Sequence, residues 1–278
     1  MSLRLLTPSD LLQALALSSS AGWNQTITDW QRLLDLAPET CFGIELDGRL
    51  AATATLLPYG VSLAWLGMVL TRRDYQHRGL ASRLVAHTLQ VAGDLGIKTL
   101  KLDATGQGQP IYEKLGFVVE RRIERWVWSG EFDAQGDAGP LVPIESLAGL
   151  DYDAFGANRM RLLARLAVSG RSVNATAGTS KPVVTGDGFA LWGPGHIANY
   201  VGPCVARTPE AAHSLIAGCL TQAAGTWMWD VFPDNEPGRE LAGRFGFQPV
   251  RRLVRMRRGP SIAERHELVY AAAGFELG

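Results

Sequence analysis

The sequence predicts an α/β (α+β) fold in two similar halves, each a mixed twisted sheet flanked by helices. Three observations predict it. An apolar strand, Trp65-Leu66-Gly67-Met68-Val69-Leu70, runs through a polar turn into an amphipathic helix that begins near Leu80. Upstream, Asp47-Gly48 separates two strand-like runs, and Asp-Gly supports the positive backbone angles of a tight hairpin. Downstream, the order of elements recurs. A chain of 278 residues is long enough for two ordinary domains with substantial cores. The expected division is 1–128, a linker at 129–140 with a run of Gly, Asp and Pro, and 141–278.

Residues 3–6 read as the first strand, and Thr7-Pro8-Ser9-Asp10 as a helix start, because Thr or Ser caps a first turn and Pro fits inside it. Leu11, Leu12, Leu15 and Ala16 supply the apolar face. A second helix follows Thr28-Asp29-Trp30 through Leu33, Leu34 and Leu36 to Pro38. Residues 41–46 and 49–57 form the hairpin, and 62–70 the strand before the polar turn. Asp94 and Gly96 close the next helix, 99–103 alternates into a strand, and Gly106-Gln107-Gly108-Gln109-Pro110 opens a short helix. Residues 118–128 complete the first sheet.

Composition narrows the function. Lys plus Arg and Asp plus Glu each number 27, so the net charge is zero and no whole-molecule field draws nucleic acid or an anionic membrane. The basic run 251–258 alternates as a strand with one charged face. Cys41, Cys204 and Cys219 are odd in number and lack paired spacing, which argues against disulfides and structural zinc. The five histidines show no metal-ligand spacing. No apolar run of some eighteen residues is present, and residues 1–20 lack a clear cleavage pattern. The expected protein is cytoplasmic and binds neither metal, membrane nor nucleic acid.

The turn Gln76-His77-Arg78-Gly79-Leu80-Ala81 carries the chemistry. A strand-to-helix turn offers an anion the unpaired amides of the first helical turn and the positive end of the helix dipole. Gly79 lets backbone approach a ligand closely, and Arg72, Arg73, Arg78 and Arg83 surround it with positive charge. With Tyr112-Glu113-Lys114-Leu115-Gly116-Phe117 downstream, the chain resembles the GNAT superfamily of acyl-CoA-dependent N-acyltransferases. Gln76-x-x-Gly79-x-Ala81 matches that family's pyrophosphate loop, and 112–117 its closing signature.

The resemblance implies acetyl-CoA, or a closely related acyl-CoA, held by Gln76, His77, Arg78, Gly79, Leu80, Ala81 and Ser82. It implies that the preceding strand splays from its neighbour and exposes main-chain groups of Met68, Val69 and Leu70 to the pantetheine arm. Tyr112 becomes the general acid for the departing thiolate, a phenol with an ordinary pKa of about 10 being protonated near neutrality. Trp23, Asn24 and Trp30 become acceptor-pocket candidates, with core packing the competing role for both tryptophans. Many members place a carboxylate base on the coenzyme strand, but residues 64–70 contain none. Deprotonation then runs through ordered water or through a carboxylate from elsewhere, for which Asp230 is the candidate, with Asp234 beside the acceptor; helix capping is the alternative reading of both.

In the second half, Tyr200-Val201-Gly202-Pro203 parallels Trp65-Leu66-Gly67-Met68, Trp229-Asp230 parallels Leu102-Asp103, and Phe245-Gly246-Phe247 parallels Leu115-Gly116-Phe117. Arg121, Arg122 and Arg125 correspond to Arg251, Arg252 and Arg255. No comparable loop occurs between 206 and 220, and Ala242 stands where Tyr112 stands. This half is expected to bind no coenzyme. The expected protein is an N-acetyltransferase acting by direct attack of a small-molecule primary amine. The alternatives are a non-catalytic acyl-CoA-binding or regulatory module and a protein or peptide N-acetyltransferase. Exposed strand edges allow a homodimer.

Overall fold

The computed structural model describes residues 1–130, 144–168, 183–185 and 187–278. The first half runs β1 (Ser2–Leu5), α1 (Leu11–Ser20), α2 (Ile27–Leu36), β2 (Cys41–Leu46), β3 (Arg49–Pro58), β4 (Leu63–Thr71), α3 (Leu80–Asp94), β5 (Thr99–Ala104), α4 (Gln109–Lys114) and β6 (Val118–Gly130). The second runs α5 (Ala148–Phe155), α6 (Met160–Val168), β7 (Val183–Thr185), β8 (Gly188–Gly193), β9 (Asn199–Ala206), α7 (Pro209–Leu220), β10 (Gly225–Val231), α8 (Glu236–Arg244), β11 (Gln248–Arg258) and β12 (Val269–Ala271). Of the expected linker, Ser129 and Gly130 end β6, and 131–140 lie outside the described residues.

Local chemistry explains the boundaries. Asp47 and Gly48 both take positive φ, 51° and 71°, and so close the β2–β3 hairpin. Thr26 and Asp29 cap α2 reciprocally: the Thr26 amide donates to Asp29 Oδ2 at 2.7 Å, and the Asp29 amide to Thr26 Oγ1 at 3.2 Å.

The described strands form one mixed sheet in the order β1-β2-β3-β4-β5-β11-β6-β10-β9-β8-β7, with β12 against β9. At its centre the halves exchange strands. β11 pairs with β5, and β6 pairs with β10. The two lent strands lie antiparallel, with Leu253 opposite Ile123, Arg251 opposite Arg125 and Arg255 opposite Arg121. These are equivalent positions of the two halves, so a local two-fold relation passes between β6 and β11.

Each lent strand is fastened by a buried ion pair. Arg125 from β6 grips Asp230 on β10 with two bonds of 2.8 and 2.7 Å, and Arg255 from β11 grips Asp103 on β5 with two of 2.9 Å. The basic run of β11 thus spends Arg252, Arg255 and Arg257 on Glu124, Asp103 and Glu120. Apolar clusters fill both faces: α3 covers β2–β5 on one side, while α1, α2 and α6 share a cluster with Trp65 and Leu277 on the other.

Candidate active site

The polar turn has the geometry of an anion cradle. His77 and Gly79 take φ of 62° and 74°, and Gly79 caps α3 with no side-chain hydrogen bond. The first-turn amides are therefore left for an outside partner. A Cβ on Gly79 would meet nothing within 4 Å. The amides border a cavity of about 760 Å³ lined by Gln76, His77, Gly79, Leu80, Ala81 and Ser82.

The cavity extends along a gap in the sheet. β4 pairs with β5 only at Leu63, Ala64 and Trp65. Beyond them the strands part, and Leu66, Gly67, Met68 and Val69 line one side of the opening while Leu102, Asp103 and Ala104 line the other. Met68, with φ of 49°, sits where the β3–β4 register shifts, and its carbonyl accepts from Thr53 Oγ1 at 2.8 Å. Tyr112 lines the same cavity from α4, edge-on to Phe117. Burial pushes its phenol above the ordinary range, which keeps the proton in place near neutrality.

A carboxylate unforeseen in the sequence completes the site. The segment 272–278 crosses from the second half to β4, where Trp65 Nε1 donates to the Phe275 carbonyl at 2.9 Å and the Tyr59 hydroxyl to the Leu277 carbonyl at 2.6 Å. The crossing needs bare backbone on both strands. A Cβ on Gly67 would stand 2.8 Å from the Glu276 carbonyl oxygen, and one on Gly202 would collide with the Ala272 carbonyl. Glu276 is thereby set at the junction of the large cavity with a second one of about 280 Å³; it lines both, as do Gln25 and Arg125. Its Oε2 is buried and unpartnered. Burial, and then the charge of Asp29, push its pKa up to about 7.

Other residues singled out in the sequence fall in varied places. Trp23 lines the large cavity and Asn24 the small one. Asn24 spends its amide on the second half, donating to the Ala198 carbonyl at 2.9 Å and accepting from the Ile197 and Ala198 amides. Trp30 is fully buried in the core, donating to Ser18 Oγ, and borders neither cavity. Leu70 packs into that core, and Arg78 stacks on Tyr75; neither lines the large cavity.

Asp230 is fully buried with both oxygens held by Arg125 and a third bond from the Tyr200 hydroxyl at 3.0 Å. It borders neither cavity, whereas Glu276 borders both. Asp234 is half exposed beside His266, 3.8 Å away, and lines neither cavity. Among the described residues no group of His, Cys, Asp and Glu is arranged to hold a metal. No helix there is long and apolar enough to cross a membrane.

Comparison with known proteins agrees with this architecture. A family profile described as "Acetyltransferase (GNAT) family" matches residues 10–117, and one described as "Acetyltransferase (GNAT) domain" matches 147–271. The uncharacterized N-acetyltransferase YitH of Bacillus subtilis (strain 168) is 24% identical over 214 residues, spanning 75% of this chain and 70% of that protein. The crystal structure of a putative acetyltransferase from Pyrococcus horikoshii matches with a TM-score of 0.82 at 21% identity, over 100% of this chain and 95% of the other. A GCN5-related N-acetyltransferase from Sphaerobacter thermophilus matches with a TM-score of 0.63 at 16% identity, over 95% and 98%. At such identities the two structures speak for the fold.

Proposed function

Because this chain belongs to the GNAT acetyltransferase superfamily, with two such domains in tandem, we propose that it transfers an acetyl group from acetyl-CoA to the primary amine of a small molecule, using Glu276 as base and Tyr112 as acid. The observation that carries this reading is Glu276, unpartnered at the junction of the two cavities. The large cavity suits the coenzyme, since its uncapped amides and the helix dipole favour a pyrophosphate. The small one suits an acceptor of modest size.

Bound acetyl-CoA supplies a thioester whose C–S bond breaks as the C–N bond to the amine forms. Glu276, ionised above about pH 7, takes a proton from the ammonium form of the acceptor and releases the attacking lone pair. Tyr112 gives its proton to the departing thiolate; the second proton lost by nitrogen returns through solvent. Direct attack is supported by the cysteines, all buried, with the Cys41 thiol pushed up to about 12 and the others raised by burial too. The units 1–128 and 141–278 serve in this reading as coenzyme half and supporting half, the second closing the acceptor side.

The test is the pH profile. Glu276→Gln should lower kcat by about 10²–10⁴. In wild type, kcat/KM for an accepted amine should rise with pH through about 7, as Glu276 ionises, and that limb should be missing in the variant. A variant with the wild-type profile and turnover would remove Glu276 from the reaction.

A further inference from the structure

The pocket of about 280 Å³ behind Glu276 gathers unmet hydrogen-bonding capacity. Among the described residues, ten buried side-chain polar atoms lack a hydrogen-bond partner. Four of the ten belong to residues of this pocket: Gln25 Oε1, Glu276 Oε2, Arg32 Nε and Trp192 Nε1. Four others belong to Glu120, Arg121 and Arg257, which are held in ion pairs. Buried polar atoms without partners are rare in native folds, so a cluster of them marks a place where something else supplies the partners.

The four atoms specify that something. Gln25 and Glu276 offer acceptors; Arg32 and Trp192 offer N–H donors. An ammonium group answers the first pair only. A plain alkylamine would leave both donors unmet, and a site built to bond a polar group discriminates strongly against the analogue that lacks it. Arg125 is paired with Asp230 and Arg32 with Asp29, which takes Nη1 at 2.5 Å and leaves the Nε–H of the guanidinium as a donor for an outside oxygen. Leu166, Leu191 and Leu277 wall the remainder, and the volume suits one small molecule.

We infer that the acceptor is an amino acid, whose carboxylate is received by Arg32 and Trp192 while its amine faces Glu276 and Gln25. This rests on the acyl-transfer reading of the site and names its substrate class. Binding is measured calorimetrically on the full chain saturated with CoA, so that the readout does not depend on turnover. Each amino acid is compared with its decarboxylated amine: leucine with isoamylamine, phenylalanine with phenethylamine, lysine with cadaverine.

In at least one pair the amino acid should bind about tenfold tighter or more. Trp192→Phe, which removes the indole N–H, and Arg32→Lys, which keeps the charge but loses Nε–H, should each erase most of that preference while leaving the amine's own affinity in place. Amines that bind as tightly as their amino acids in every pair would overturn the inference. Absence of binding by all six would overturn it too, leaving the four atoms to ordered water. Acetylation of amines without regard to a carboxylate would refute the amino-acid assignment and leave acetyl transfer standing. Tight amino-acid binding without any acetylation would refute acetyl transfer alone.

Discussion

The two halves share a plan and differ at three points where a coenzyme would sit. In the first half α3 begins at an uncapped Gly79; in the second, α7 begins at Thr208, whose side chain accepts from the Ala211 amide at 3.2 Å, with Pro209 and Glu210 in its first turn. The first half leaves a gap between β4 and β5. The second half fills the matching gap: β9 pairs with β10 only at 199–201, and β12 then pairs with Val205 and Cys204, while Trp229 Nε1 donates to the Tyr270 carbonyl at 2.7 Å. Where Tyr112 lines a cavity, Ala242 is fully buried. The second half keeps the fold, and its own chain occupies the place where the first half leaves a cavity. The same chain then continues past Gly202 and Gly67 and delivers Glu276 to the first half.

The sharpest way to break this contrast is to give the first half the acid that the second already has. Gly79→Glu puts a carboxylate at the N-cap of α3, two residues ahead of the place Glu210 holds in α7, and should abolish detectable acetyl-CoA binding, because opposing like charges cost several kcal/mol. A side chain there meets no neighbour within 4 Å but must sit at φ of 74°, so the far-ultraviolet spectrum should stay near wild type while the urea midpoint falls modestly, and Gly79→Ala, which bears the same strain without the charge, should still bind acetyl-CoA. Titration calorimetry should show one site per wild-type chain and none in the variant; a surviving site would take the pyrophosphate away from this turn. Next in size is Tyr112→Phe, which makes the first half more like the second. It should reduce kcat by about 10²–10⁴ with coenzyme affinity little changed. Full turnover would make Tyr112 a packing residue.

Asp230 and Asp103 test the reciprocal strand exchange. Replacing either by Asn leaves a buried arginine without its counter-charge, at a cost of about 3–5 kcal/mol for a buried pair. The two losses, read as shifts in urea unfolding free energy, should match within about 1 kcal/mol if the pairs are equivalents. A cost under about 1 kcal/mol for Asp230→Asn would mean the pair does not fasten the exchanged strand.

Most of the fold was legible because its signals are local. Asp47-Gly48, the helix start at Thr7-Pro8 and the strand-turn-helix around Gly79 each act over a few residues, and the repeat made the second half readable from the first; the capping pair Thr26 and Asp29 was not read, the expected helix start falling at Thr28 instead. The strand exchange was not legible. β6 and β11 carry the same arginine spacing, so either could complete either half by pattern alone. Glu276 was invisible for a related reason: it lies in a short segment without periodicity, far in sequence from the turn it serves. Two signals pointed that way. Glycines at equivalent strand-interior positions, Gly67 and Gly202, mark a close backbone crossing. An aspartate kept at equivalent places in both halves, when the second has lost the tyrosine and the loop, marks a structural partner and argued against Asp230 as base.

The smallest expected effect separates capping from filling as the reason the second half is expected to bind no coenzyme. Thr208→Ala removes the side-chain cap of α7 and frees the Ala211 amide, at a cost of about 1 kcal/mol in urea unfolding. If the cap alone excluded an anion, a second, weaker acetyl-CoA site would open in the variant. It should not open, because β12 still occupies the gap that the pantetheine arm would need, held by Asn235 Nδ2 at 3.0 Å from the Val269 carbonyl and by the Ala272 amide at 3.0 Å from the Asp230 carbonyl. Calorimetry should therefore return one site per chain, as in wild type. Two sites would show that the cap, and not the inserted strand, keeps the second half empty; the placement of Glu276 would then be a separate use of the segment.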